Sequence, residues 1–306
     1  MVWSGTVKKQ TRTGALRSLR PVVIAGGHRA AYSPLMNSTG FDPLFALNVA
    51  LPLAQSAYDV MQDSGVAAHL PRGYKQAALI ETRPELLKAL KALPDSVHSR
   101  MLNMMVRDSN VFGLIGNNLG SNPDAKIAFV SFRGTQTAVD WEHDVDALYE
   151  PYGLVDGAGD VHQGFLNVYK TLRDSVKASL EGASQGCDWL LVTGHSLGAA
   201  LALLAAPDIA KNFLPGRVPS LLTFAGPRTG LLRFHRFFNN LIPACYRVVA
   251  TGDIVPDVPL FVPPFFYKHV GKAVKVDGGQ EDPVKAHSLE LSYVPGLQKL
   301  ARPGAS

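Results

Sequence analysis

The sequence predicts an α/β fold, a mostly parallel sheet covered by helices on both faces. Three observations carry that expectation. Beyond residue 110, short apolar runs alternate with helical stretches. Those runs are nearly continuous in apolar character, as strands buried on both faces are. One of them, Trp189–Thr193, leads into Gly194-His195-Ser196-Leu197-Gly198 and then an Ala/Leu-rich stretch, which reads as strand, tight turn and helix.

Residues 1–41 carry Lys8, Lys9, Arg12, Arg17, Arg20 and Arg29 and no acidic residue. They are expected to form a flexible basic extension, with a targeting peptide as one alternative reading and a secretory signal, for which the apolar run Pro21–Gly27 is short, as a weaker one. Residues 42–306 are expected to form one domain. That body holds 24 basic and 25 acidic residues, so the chain's net charge of +5 comes from the extension. Basic residues in the body do not cluster, which argues against a nucleic-acid surface. Residues 42–62 read as a helix interrupted near Pro52, and 84–107 as polar helices broken at Pro94. Val111–Asn117 and Lys126–Arg133 read as strand, turn and strand. Then come helix Ser196–Asn212, strand Leu221–Ala225, helix Gly230–Leu241, strand Tyr246–Ala250 and strand Val270–Val276, ended by Gly278-Gly279.

The 306 residues suffice for one large core, and 46% apolar with 18% charged residues is a globular composition. No run reaches the roughly 18–20 apolar residues that a membrane span needs. Cys187 and Cys245 are too few for a disulfide scaffold and head strands that are not expected to be neighbours, so both are expected as thiols. No Cys/His spacing resembles a zinc site, and no cofactor is expected.

The chemistry concentrates at Ser196. Glycines on either side allow a sharp turn that lifts the serine hydroxyl above the sheet. The helix behind it places backbone N–H groups near a developing oxyanion. A serine hydroxyl needs a histidine base, and the base needs a carboxylate to orient it. In this strand–helix arrangement both follow the serine in the chain, acid first. Asp253 ends the second strand beyond the nucleophile's, on the same sheet edge. Asp257 is its rival, and Asp208 lies on a helix facing away. Of the later histidines, His287 follows the last strand, His269 opens it at the opposite edge, and His235 lies on a helix. Oxyanion donors are expected from Leu197 N–H and from Thr135, in the loop after strand Lys126–Arg133.

Seven segments together resemble the class 3 (fungal-type) triacylglycerol lipases of the α/β-hydrolase superfamily. They are Phe132-Arg133-Gly134-Thr135, Asp140-Trp141, His162-Gln163-Gly164-Phe165, Gly194–Gly198, Phe224-Ala225-Gly226-Pro227-Arg228, Asp253-Ile254-Val255-Pro256 and His269-Val270-Gly271. The resemblance covers about residues 110–295. It implies Ser196, Asp253 and His287 as the triad, Thr135 and Leu197 as the oxyanion hole, and a structural His269. It also implies that Asp144 supports the oxyanion hydroxyl. A lid is implied over about residues 136–150, with Trp141 and Val145. Phe261, Phe265 and Phe266 are candidates for the acyl-pocket wall, packing in the core being their other reading. Ala199 stands where the family usually has a second glycine.

A lipase acting on acylglycerols, at a lipid–water interface, is therefore the leading expectation. Phospholipase A1 and feruloyl esterase share the same chemistry. A transacylase would differ only in its acceptor, and a silent lipid-binding protein would lack turnover. Without the disulfides of secreted fungal members, a bacterial or intracellular protein is the expected setting.

Overall fold

The computed structural model describes residues 36–37, 40–62, 67, 69–83, 85, 109–121, 125–135, 148–259, 261–263 and 265–302. These belong to one compact unit, Ser33–Ser306. Most of the basic extension expected over 1–41 lies outside the described residues, as do the expected helices of 84–107 except Glu85. Strands β1 (Met36–Asn37) and β2 (Gly40–Phe41) form a small antiparallel ladder.

The first helical segment runs α1 (Pro43–Phe45), a π-helical turn Ala46–Ala50, and α2 (Leu51–Gln62). Asp42 caps it, its carboxylate accepting from Leu44 and Phe45 N–H. The break expected near Pro52 is absent, because the helix widens instead. Leu51 N–H bonds five residues back to Ala46 carbonyl, giving the turn before the proline the room its ring requires.

β3 (Lys75–Glu81), β4 (Val111–Asn117) and β5 (Ile127–Phe132) follow, then β6 (Tyr149–Pro151) and β7 (Asp160–His162). Helix α3 (Gln163–Ser184) leads to β8 (Trp189–His195), α4 (Leu197–Asp208) and β9 (Ser220–Phe224). β10 (Gly230–Leu231) and α5 (Leu232–Leu241) precede β11 (Cys245–Ala250). β12 (Phe261–Val262), β13 (Phe265–Lys268), β14 (Lys272–Val276), α6 (Pro283–Ala286) and α7 (Val294–Leu300) complete the order.

The central sheet has seven strands in the order β14-β11-β9-β8-β5-β4-β3. The five from β14 to β5 are parallel, while β4 runs antiparallel to both β5 and β3. This is the mostly parallel α/β sheet expected. A second, antiparallel sheet, β12-β13-β10-β7-β6, was not foreseen; its strands of two to four residues are too short for a periodic signal. The last central strand starts at Lys272, two residues later than expected. Gly271 turns the chain at φ +67°, and a Cβ there would lie 2.5 Å from Cys245 Sγ, so the ladder can begin only beyond it.

Each strand feeds two cores by its period of two. Ala128, Val130 and Phe132 join Leu190 and Val192 against α3 and α4. Ile127, Phe129 and Leu191 face the other way, against α2, Tyr293 and Leu297. α4 is apolar on all sides and buried along its whole length, which fixes the backbone behind Ser196. Cys187 and Cys245 are unbridged, and β9 separates β8 from the strand that Cys245 opens.

Candidate active site

β8 delivers Ser196 to the carboxyl edge of the sheet, where it caps α4 at φ 59° and ψ −128°. That conformation is costly for a residue with a Cβ and needs surroundings that leave no alternative. Both flanking glycines are required by contact. A Cβ on Gly194 would lie 2.4 Å from Gly198 carbonyl oxygen, and one on Gly198 would lie 2.2 Å from that of Phe132. Ser196 N–H is tied to Phe224 carbonyl at 2.9 Å. One step further on, Ala199 meets Gly226, where an added Cβ would lie 2.8 Å from the alanine methyl.

Asp253 follows β11 through the Thr251-Gly252 turn, at the same sheet edge. His287 Nδ1–H donates to it, at 3.0 Å from Oδ1 and 3.1 Å from Oδ2. Val255 N–H donates to Oδ1 at 3.1 Å, and Tyr293 hydroxyl to Oδ2 at 2.5 Å. Burial, with the Asp253 charge second, raises the Tyr293 phenol well above its ordinary value, so it remains a donor. Asp253, His287, Thr135 and Ser196 are all buried. Thr135 belongs to the loop after β5, held by the buried Arg133. Its guanidinium donates to the carbonyls of Gly134, Val111 and Ser109. It also stacks 4.6 Å from the Phe112 ring centre. Gly134 packs against Ser196, an added Cβ falling 3.0 Å from Ser196 Cβ.

Three buried polar atoms have no hydrogen-bond partner among the described residues here: Ser196 Oγ, His287 Nε2 and Thr135 Oγ1. Buried polar groups are normally satisfied, so three open atoms in one place call for an explanation; Thr82 Oγ1, Thr223 Oγ1, Ser292 Oγ and His269 Nδ1 are further open atoms among the described residues.

The rival residues lie in other surroundings. Asp257 is 75% exposed and faces Arg228. Asp208 sits at the far end of α4, bonded to Arg173 and Tyr169. His269 Nε2–H donates to Pro256 carbonyl at 2.7 Å, and its own carbonyl accepts from His235 Nδ1–H at 2.6 Å. Burial, then the Arg247 charge, push His269 down to about 3. Trp141, Asp144 and Val145 lie outside the described residues, with all of the expected lid except 148–150. Phe266 is 43% exposed on β13, and its backbone pairs with that of Phe261; the side chains of Phe261 and Phe265 are outside the description. Among the described residues no cluster of His, Cys, Asp and Glu could hold a metal.

Sequence reasoning missed Tyr293 and Tyr58, whose hydroxyl reaches His195 Nδ1 at 2.8 Å. Neither carries a local signal. On a helix, a tyrosine reads as packing until the fold shows what its hydroxyl meets.

Residues 129–262 match the family Lipase (class 3), the resemblance read from the sequence. Phospholipase A1-II 3 of Oryza sativa subsp. indica is 32% identical, with 62% of this chain and 54% of that protein covered. Secreted mono- and diacylglycerol lipase 1 of Fusarium solani is 33% identical, covering 55% and 49% respectively. The chain spans about half the length of these curated relatives. Rhizomucor miehei triacylglyceride lipase superposes with a TM-score of 0.55 at 22% identity, over 74% of this chain and 77% of that one, so the two share the α/β-hydrolase fold.

Proposed function

From a chain whose residues 129–262 match the class 3 lipases, we propose a serine carboxylic-ester hydrolase that cleaves acyl esters of lipids. The observation carrying this reading is the strained Ser196 beside a buried His287–Asp253 pair, with Ser196 Oγ, His287 Nε2 and Thr135 Oγ1 all unbonded among the described residues. Ser196 Oγ attacks the ester carbonyl and His287 Nε2 takes its proton. Asp253 stabilises the imidazolium, and Tyr293 and Val255 N–H hold that carboxylate in place. Thr135 and Leu197 N–H receive the oxyanion. His287 returns the proton to the leaving alcohol, and water then releases the acyl group by the same route.

The relatives' names favour two substrate classes for the same chemistry, mono- and diacylglycerols and the sn-1 ester of phospholipids. The lid over 136–150, with Trp141 and Val145, and the Asp144 support of the oxyanion threonine are parts of this proposal. No helix among the described residues is long and apolar enough to cross a membrane. The Fusarium relative is named as secreted, so the expectation of a bacterial or intracellular protein gains no support from it.

The test is hydrolysis of p-nitrophenyl esters from acetate to palmitate, emulsified triglyceride, diacylglycerol and phosphatidylcholine, with Ser196→Ala beside each. Turnover that rises with chain length and vanishes in the variant supports the reading. Equal turnover in the variant would end it.

A further inference from the structure

Three polar groups near the site have no role in the steps above: Gly134 N–H, the Tyr58 hydroxyl and the His195 imidazole. They form one chain of hydrogen bonds. Gly134 N–H donates to Tyr58 Oη at 3.1 Å. Tyr58 Oη lies 2.8 Å from His195 Nδ1, and His195 Nε2 lies 2.9 Å from the carbonyl oxygen of His287. The direction of each bond follows from donor and acceptor counts. A carbonyl can only accept, so Nε2 carries a proton. Neutral imidazole then has a bare Nδ1, and the single phenolic proton of Tyr58 must point at it. Burial, and next the nearby His287, hold His195 well below its ordinary pKa, so the ring stays neutral.

The two ends of this chain matter. One is the amide preceding Thr135, in the loop that offers the oxyanion donor. The other is the backbone of His287. Between them stands the residue next to the nucleophile. We propose that Tyr58 and His195 are positioning residues that yoke the oxyanion loop to the backbone of the catalytic histidine, with Ser196 held between. Reacting groups must be held within about 0.5 Å, and a misplacement of 1 Å can cost about 10²-fold. The neutral ring serves a second purpose. Its centre is 4.6 Å from that of His287, where a positive charge would oppose proton uptake from Ser196.

This inference rests on the reading of His287 as general base, and its test separates the two. Tyr58→Phe keeps the ring and removes only the hydroxyl. With kcat counted per fluorophosphonate-titrated site, the expected result is a fall of about 10- to 100-fold with KM within about twofold. A merely structural tyrosine would lower the melting temperature and the number of titratable sites, and leave kcat per site alone. Ring ¹⁵N spectra of the full chain, with His195 assigned by difference from His195→Gln, are expected to show the Nε2-protonated tautomer. Tyr58→Phe should move the Nδ1 resonance. Unchanged kcat per site in Tyr58→Phe, or an Nδ1-protonated His195, would overturn the yoke while Ser196-dependent turnover remained intact. Loss of the function reading would show instead as a wild-type chain with no such turnover and no labelling of Ser196.

Discussion

The two ends of α4 carry polar clusters built on opposite terms. At the carboxyl end, buried Asp208 accepts from Tyr169 at 2.9 Å, from Arg173 at 2.7 and 2.9 Å, and from Asn212 at 2.6 Å. Its partners come from α3 and from the turn after α4, so the carboxylate ties those elements together. At the amino end, Ser196 has φ 59°, and neither its hydroxyl, the Thr135 hydroxyl nor His287 Nε2 finds a partner among the described residues. Both clusters are buried, so burial alone does not separate them. What separates them is saturation. The Asp208 carboxylate is fully bonded, whereas around Ser196 three polar atoms keep their bonding capacity open while the scaffold bears the strain.

The largest expected effect tests the open end. Ser196→Ala should lower kcat/KM by about 10⁴-fold or more, with the melting temperature within a few degrees of wild type. A large drop in melting temperature would instead make the serine a structural cap. The saturated end should respond in the opposite way. Asp208→Ala leaves Arg173 and Tyr169 without their acceptor and should cost about 3 kcal/mol in urea unfolding, with kcat per titrated site unchanged. A loss of kcat without a loss of stability would erase the distinction between the ends.

A smaller effect concerns His269, whose Nε2–H is bonded to Pro256 carbonyl while its Nδ1 is buried without a partner among the described residues. It is held neutral with a pKa of about 3, because it is buried and faces Arg247 and Arg228. An unfolded histidine titrates near 6.5, so between those values the unfolded chain binds the extra proton. The stabilisation is complete above pH 6.5 and declines as pH falls toward 3, amounting to about 2 kcal/mol lost at pH 5. Urea midpoints at pH 7 and pH 5 measure it, and His269→Asn should flatten the slope. The smallest effect is a baseline from α3, away from both clusters. An added Cβ on Gly182 meets nothing within 4 Å. Gly182→Ala should raise stability by about 0.5 kcal/mol and leave kcat unaltered.

The parts of this contrast were unequally legible in the sequence. Ser196 announces itself locally, because the glycines its turn requires are adjacent in the chain. Asp253 and His287 could be chosen only through the order of strands and the edge at which each strand ends, and the structure places them 3.0 Å apart. Tyr58 and Tyr293 join the site from 137 and 40 residues away from their partners, with no motif to mark them. The saturation of Asp208 was equally hidden, since its four bonds depend on how α3 lies across α4. The antiparallel strands β6, β7, β10, β12 and β13 were missed because each holds too few residues to display alternation.

The contact between Ala199 and Gly226 reaches beyond this one molecule. An added Cβ at 226 would meet the alanine methyl at 2.8 Å, so the site has space for a single methyl shared by two positions. The two positions are therefore sterically coupled: alanine at 226 needs glycine at 199 or a shift of the backbone between them. Two residues that look separately conservative in this chain act as one choice.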